Sequence, residues 1–143
     1  MKETILQLAA AFLGALGFAL LFGLHRRHLI LASVGGMLTW GVYLLLYHAL
    51  PIDFLANLTA AAFAVTFAEI SAHWRKCPAT LFLVPAIIPL VPGSSLYYAM
   101  SYAVQNDLSA AHVYGQKTLI ATLAIAAGIS FVTIFRELHS SRK

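Results

Sequence analysis

Five apolar runs, at about residues 5–24, 29–50, 54–74, 79–105 and 116–135, fill most of this 143-residue chain. Each is as long as the roughly 20 residues with which an α-helix crosses a hydrocarbon core. In lipid a spanning helix must satisfy its own backbone polar groups, which leaves only helices and closed barrels as solutions. With 61% of residues hydrophobic and 10% charged, no stretch remains for a separate soluble domain. The expected fold is therefore all-α, a polytopic membrane helix bundle of about five transmembrane segments, the fourth broken at a Pro/Gly run. Residues 1–143 are expected to form a single integral membrane domain in the bilayer. The first run is read as a retained span, not a cleaved signal, because its strongest basic pair, Arg26 and Arg27, follows it. His25–His28, Pro51–Asp53 and Arg75–Pro78 are connections so short that consecutive helices must be antiparallel neighbours.

The formal charge of +4 is distributed by end. On alternating sides, Arg26, Arg27, Arg75, Lys76, Arg136, Arg142 and Lys143 share one face, against Lys2 and Lys117 on the other. The positive-inside rule then places the amino terminus outside and the carboxyl terminus in the cytoplasm, which requires an odd number of crossings. Basic residues form no stripe interleaved with aromatics, so nucleic acid is not an expected partner. Cys77 is the only cysteine, which excludes an internal disulfide and a CxxC metal pair. His25, His28 and His48 stand at segment ends without acidic or cysteine companions and are read as interfacial rather than metal ligands. No Ser/His/Asp, HExxH or phosphate-loop pattern marks an enzyme, and no cofactor or metal is implied.

The fourth run carries the signal that the other runs lack. Pro85, Pro89 and Pro92 supply no N–H, so an unbroken helix through them would strand the carbonyls of Leu81, Pro85 and Ile88. Broken backbone at membrane depth is tolerated where protein or a water-lined cavity re-satisfies it, which makes the run a solute-site candidate. Pro92 and Gly93 are expected to end one half-helix, with Ser94 or Ser95 capping a second from about Leu96 to Gln105. The new helix N-terminus suits a carboxylate and the freed carbonyls upstream suit an ammonium group, so together they suit a zwitterion. Ser94, Tyr98 and Tyr102 follow one another at single-turn spacing and give that half-helix a hydroxyl face, Tyr102 being also a natural belt residue. A kink that merely shapes the bundle is the alternative.

Glu69 is the one acid well inside an apolar run, with His73 a turn further on. Intramembrane carboxylates are costly and mark proton carriers or substrate contacts, although an ion pair with Arg75 or a basic loop residue explains it equally well. Asp53 and Asp107 read as loop or cap residues. Gly14, Gly17, Gly35, Gly36, Gly41 and the many alanines of the third and fifth runs read as packing surfaces.

Several of these stretches resemble one family. Gly17–Phe22 followed by Arg26 and Arg27, Gly35–Trp40, Ala68-Glu69 with Arg75 and Pro78, and above all Pro85–Gly93 leading to Tyr97 are similar to the threonine/serine exporter (ThrE) family. The resemblance is to its small membrane domain, which in split systems is a separate subunit of the YjjB type. It covers most of the chain and implies proton-coupled export of small hydrophilic metabolites, threonine and serine foremost, with small organic acids such as dicarboxylates as further cargo. Fused members carry a larger membrane domain before such a region. Here the resemblance implies a separate larger ThrE-type subunit of the YjjP type as partner, with a homo-oligomer as the other arrangement. By matching motif positions it carries across Pro85, Pro89, Pro92, Gly93, Tyr97 and Glu69. With the half-helix residues Ser94, Ser95 and Tyr98, the first five make up the expected substrate path, and Glu69 the expected proton-coupling residue.

Overall fold

A computed structural model describes residues 2–140. Arg142 and Lys143, counted above among the basic charges, lie outside the described residues. The described chain is helical throughout: α1 (Lys2–Leu21), α2 (Arg26–Ala49), α3 (Asp53–Arg75), α4 (Thr80–Ile87) continued by a 3-10 turn (Ile88–Leu90), α5 (Gly93–Val104) and α6 (Leu108–Ser140). Four of the described helices are long and apolar enough to cross a membrane, and the number is five when the bent pair made by α4 with its turn and α5 counts as one span.

Local chemistry sets the helix ends. Gly23 takes a left-handed φ of 66°, and Leu24 N–H closes the end of α1 on the Ala19 carbonyl at 3.0 Å. Lys76 does the same after α3 (φ 52°), with Cys77 N–H on Ala72 O at 3.1 Å. Asp107 caps α6 by accepting the Ala110 N–H at 3.1 Å. That cap starts the last helix at Leu108, earlier than the 116 expected from apolarity alone, and its 33 residues make it about 50 Å long.

The core is built from small residues. Ala60, Ala61, Ala64 and Ala68 of α3 and Ala124 of α6 are fully buried, and α3 shares its most extensive interface with α6. A Cβ on Gly128 of α6 would collide with the Leu58 carbonyl and with Ala61, so glycine is what allows the two backbones to touch. The register from Gly128 beside Leu58 and Ala61 to Arg136 beside Glu69 makes α3 and α6 parallel. The end of the bundle that holds Glu69 and Arg75 is the basic end; the end that holds Asp53 and Lys117 lies opposite.

In the broken crossing, α4 and its turn pack between α2 and α3, with Phe82, Pro85 and Ala86 buried. Together they extend roughly 18 Å, short of the roughly 30 Å a hydrocarbon core requires. The chain then bends by 51° into α5. That helix packs along α6 and has no buried residue of its own. Tyr98 and Tyr102 lie on Tyr114 of α6, with ring centroids 5.3 and 5.6 Å apart, and the Lys117 ammonium sits 5.5 Å from the Tyr114 ring.

Candidate functional site: a cavity at the helix break

The prolines free fewer carbonyls than a straight helix would suggest. Tightening into the 3-10 turn gives Ile88 O a donor, Val91 N–H at 3.2 Å, in place of the one that Pro92 lacks. The Pro85 carbonyl, deprived by Pro89, lies against Gly36 of α2, where a Cβ would come within 3.0 Å of it. Gly36 thus lets α2 approach the break, and its neighbour Gly35 makes room for the Phe67 ring.

The first turn of α5 differs from the expectation. Pro92, not a serine, occupies the N-cap, no side chain caps the helix, and the helix begins at Gly93 rather than Leu96. Gly93 N–H bonds Val91 O at 2.7 Å and Leu96 N–H bonds Pro92 O at 3.0 Å, which leaves Ser94 and Ser95 as the first-turn residues whose N–H groups have no backbone acceptor.

Ser94 and Ser95 face a cavity of about 250 Å³. Pro89, Leu90, Val91 and Pro92 form one wall, Trp40 and Tyr43 of α2 another, and Asp53, Asn57 and Lys117 complete it. The Tyr43 hydroxyl lies 3.4 Å from Asp53 Oδ1, a long contact. Asn57 is 6% exposed and donates from Nδ2 to the Asp53 carbonyl at 2.8 Å, which fixes its orientation in the first turn of α3. The Trp40 Nε1 is shut off from solvent with no partner among the described residues. Asp53, two serines, a helix N-terminus and Lys117, whose ammonium lies over the Tyr114 ring, therefore border one small space. It sits level with the first turns of α3, and so nearer the Asp53 end than the middle of the bundle.

Of the residues singled out by sequence, Pro89, Pro92, Ser94 and Ser95 line this cavity. Pro85 is buried a turn earlier, Gly93 has open space around it, and Tyr97 is 67% exposed on α5, edge-on to Tyr98. Glu69 is elsewhere. It joins Arg136 of α6 by an ion pair of 3.0 Å, with the two side chains 20% and 57% exposed. Its partner is a helix residue of the last crossing, not Arg75 or a loop residue. This pair borders a second, more open cavity of about 640 Å³ at the basic end, with His73, Lys76, Cys77 and Pro78.

Trp40, Tyr43, Asp53, Asn57 and Lys117 were missed as site residues. The single-turn spacing of Trp40 and Tyr43 offered a signal, since it places both aromatics on one face. No local pattern brings Asp53 and Lys117 to the same space, because the register of α3 on α6 does so.

A helical bundle with one bent crossing and polar cavities at its two ends defines a multi-pass membrane protein. The chain belongs to the threonine/serine exporter (ThrE) family, whose model matches residues 7–135. It is therefore a member of a transporter family and not an enzyme. No solved structure matches the chain.

Proposed function

We propose that this chain is a subunit of a secondary, proton-coupled exporter, an antiporter of small hydrophilic metabolites such as threonine and serine, with small dicarboxylates as further cargo. The observation that carries the proposal is the cavity at the helix break, where Pro89, Pro92, Ser94 and Ser95 meet an acid and a base. In this reading the whole length acts as one membrane domain. Pro85 and Gly93 set the bend, and Tyr97 and Tyr98 flank the path on α5. The cavity forms one wall of a path completed by a larger ThrE-type subunit or by a second copy.

Glu69 is assigned to proton coupling. Protonation would cancel the charge that holds Arg136 and release α6 from α3 at the basic end, linking proton movement to opening of the more open cavity. The basic residues at the ends of α2, α3 and α6 favour a cytoplasmic position for that end, in a bacterial inner membrane, with the amino terminus outside.

Efflux of radiolabelled threonine, serine and a dicarboxylate from cells with and without this chain tests the proposal. A selective loss of efflux without the chain supports it, and unchanged efflux of all three refutes it. Close packing of Gly36 on the Pro85 carbonyl favours a second reading, a non-transporting assembly subunit whose break shapes a helix interface. Replacing Ser94 and Ser95 separates the two: an intact complex with lost transport supports the path, and a lost complex supports assembly.

A further inference from the structure

The same two parallel helices present an acid and a base at both ends. At the basic end Glu69 of α3 and Arg136 of α6 hold each other directly, at 3.0 Å. At the other end α3 again supplies the acid, Asp53, and α6 the base, Lys117, yet no ion pair joins these two among the described residues. Instead both line the cavity of about 250 Å³.

We propose that Asp53 and Lys117 are the specificity-determining pair of this site, reading the two charges of an α-amino acid zwitterion that bridges them. The inference rests on the path proposed above. The substrate ammonium sits on the Asp53 carboxylate, beside the Tyr43 hydroxyl. The substrate carboxylate sits on the Lys117 ammonium and the first-turn N–H groups of Ser94 and Ser95, where a helix N-terminus favours negative charge.

Two observations converge. An acid and a base line a shared cavity without pairing with each other, Asp53 holding only a long contact from the Tyr43 hydroxyl and Lys117 lying over the Tyr114 ring, and a zwitterion supplies an opposite charge to both at once. The cavity is smaller than the roughly 300 to 1,000 Å³ of drug-sized sites, which suits a solute with a short side chain. A dicarboxylate fits the Lys117 half but sets a like charge against Asp53. Discrimination between zwitterions and dianions therefore resides at Asp53.

The test compares efflux of radiolabelled threonine and radiolabelled malate from cells expressing the complete exporter, with variants quantified in the membrane. Asp53→Asn is expected to lower threonine efflux about tenfold, the scale of one lost charged hydrogen bond, while malate efflux is retained or gained. Lys117→Gln is expected to lower efflux of both solutes wherever the wild type exports both, and Lys117→Arg to restore it. Wild-type threonine efflux in Asp53→Asn and Lys117→Gln overturns the inference, as does an equal loss of threonine and malate in Asp53→Asn. If Asp53→Asn does not reach the membrane, Lys117→Gln against Lys117→Arg decides: threonine loss in the first with rescue in the second supports the pair, and any other pattern overturns it. Efflux of both solutes that is unaltered by removing the whole chain is a different result, and refutes the underlying path.

Discussion

Glu69 and Arg136, on parallel helices α3 and α6, are joined by an ion pair of 3.0 Å at the basic end of the bundle. The pair ties the last crossing to the third, three residues short of the last buried alanine of α3, Ala72. Because Arg136 is 57% exposed, the pair is partly solvated rather than a buried structural charge.

Its energy is accordingly expected to be small. A double-mutant cycle of Glu69→Gln and Arg136→Gln, read by thermal unfolding in detergent, should give a coupling of about 1 kcal/mol or less. A coupling several times larger would show that the pair holds the fold together. That result would make it unsuitable as a latch opened by one proton.

Transport should respond to the same position differently. Glu69→Gln is expected to retain threonine efflux down a concentration gradient and to lose most of its dependence on an imposed pH gradient. Efflux assays at matched solute gradients, with and without a pH step, read this directly. A variant whose pH-gradient response equals wild type removes Glu69 from coupling.

The α3 and α6 contact makes a prediction about stability alone. Gly128→Ala places a Cβ against the Leu58 backbone carbonyl, which cannot turn aside, so a loss of about 1 to 3 kcal/mol is expected. Gly14→Ala on α1 meets nothing within 4 Å and should be neutral, or stabilising by up to about 1 kcal/mol from helix propensity. Thermal melts of the two variants side by side check the contrast.

The half-helix residues should separate by position. Ser94→Val and Ser95→Val alter the wall of the cavity and are expected to reduce threonine efflux severalfold. Met100→Leu, on an exposed side chain of α5 outside it, should leave efflux within about twofold of wild type. Efflux rates normalised to membrane protein level provide the comparison.

The bundle could be read in the sequence because span length and proline chemistry are local properties: twenty apolar residues specify a crossing, and Pro85, Pro89 and Pro92 specify where one must bend. The position of the bend in the bundle was not legible. It depends on Gly36 receiving the Pro85 carbonyl and on Leu90 packing with Ala60, Ala61 and Ile125, which are contacts between distant segments. Lys117 carried a charge used to mark a side of the membrane, and Asp53 stood at a turn, so each had a sufficient local explanation. Glu69 stood out by its rarity in an apolar run, yet its partner emerged only from the register of α6 on α3. The start of α6 was not legible for a simpler reason. Apolarity begins near 116, whereas the helix begins where Asp107 caps it.

The cavity at the helix break as part of the solute path is the central claim, and thiol labelling of Ser94→Cys tests it most directly. Cys77 is the only cysteine of this chain, so a Cys77→Ser background leaves Ser94→Cys as its one reporter thiol. In membranes that hold the complete exporter, Ser94→Cys should react with a small hydrophilic thiol reagent. Threonine should slow that reaction in a saturable manner, while Leu108→Cys, exposed at the start of α6 outside the cavity, serves as a control whose labelling threonine leaves unchanged. Labelling of Ser94→Cys that is unaffected by threonine, in an exporter shown to transport it, would contradict the account.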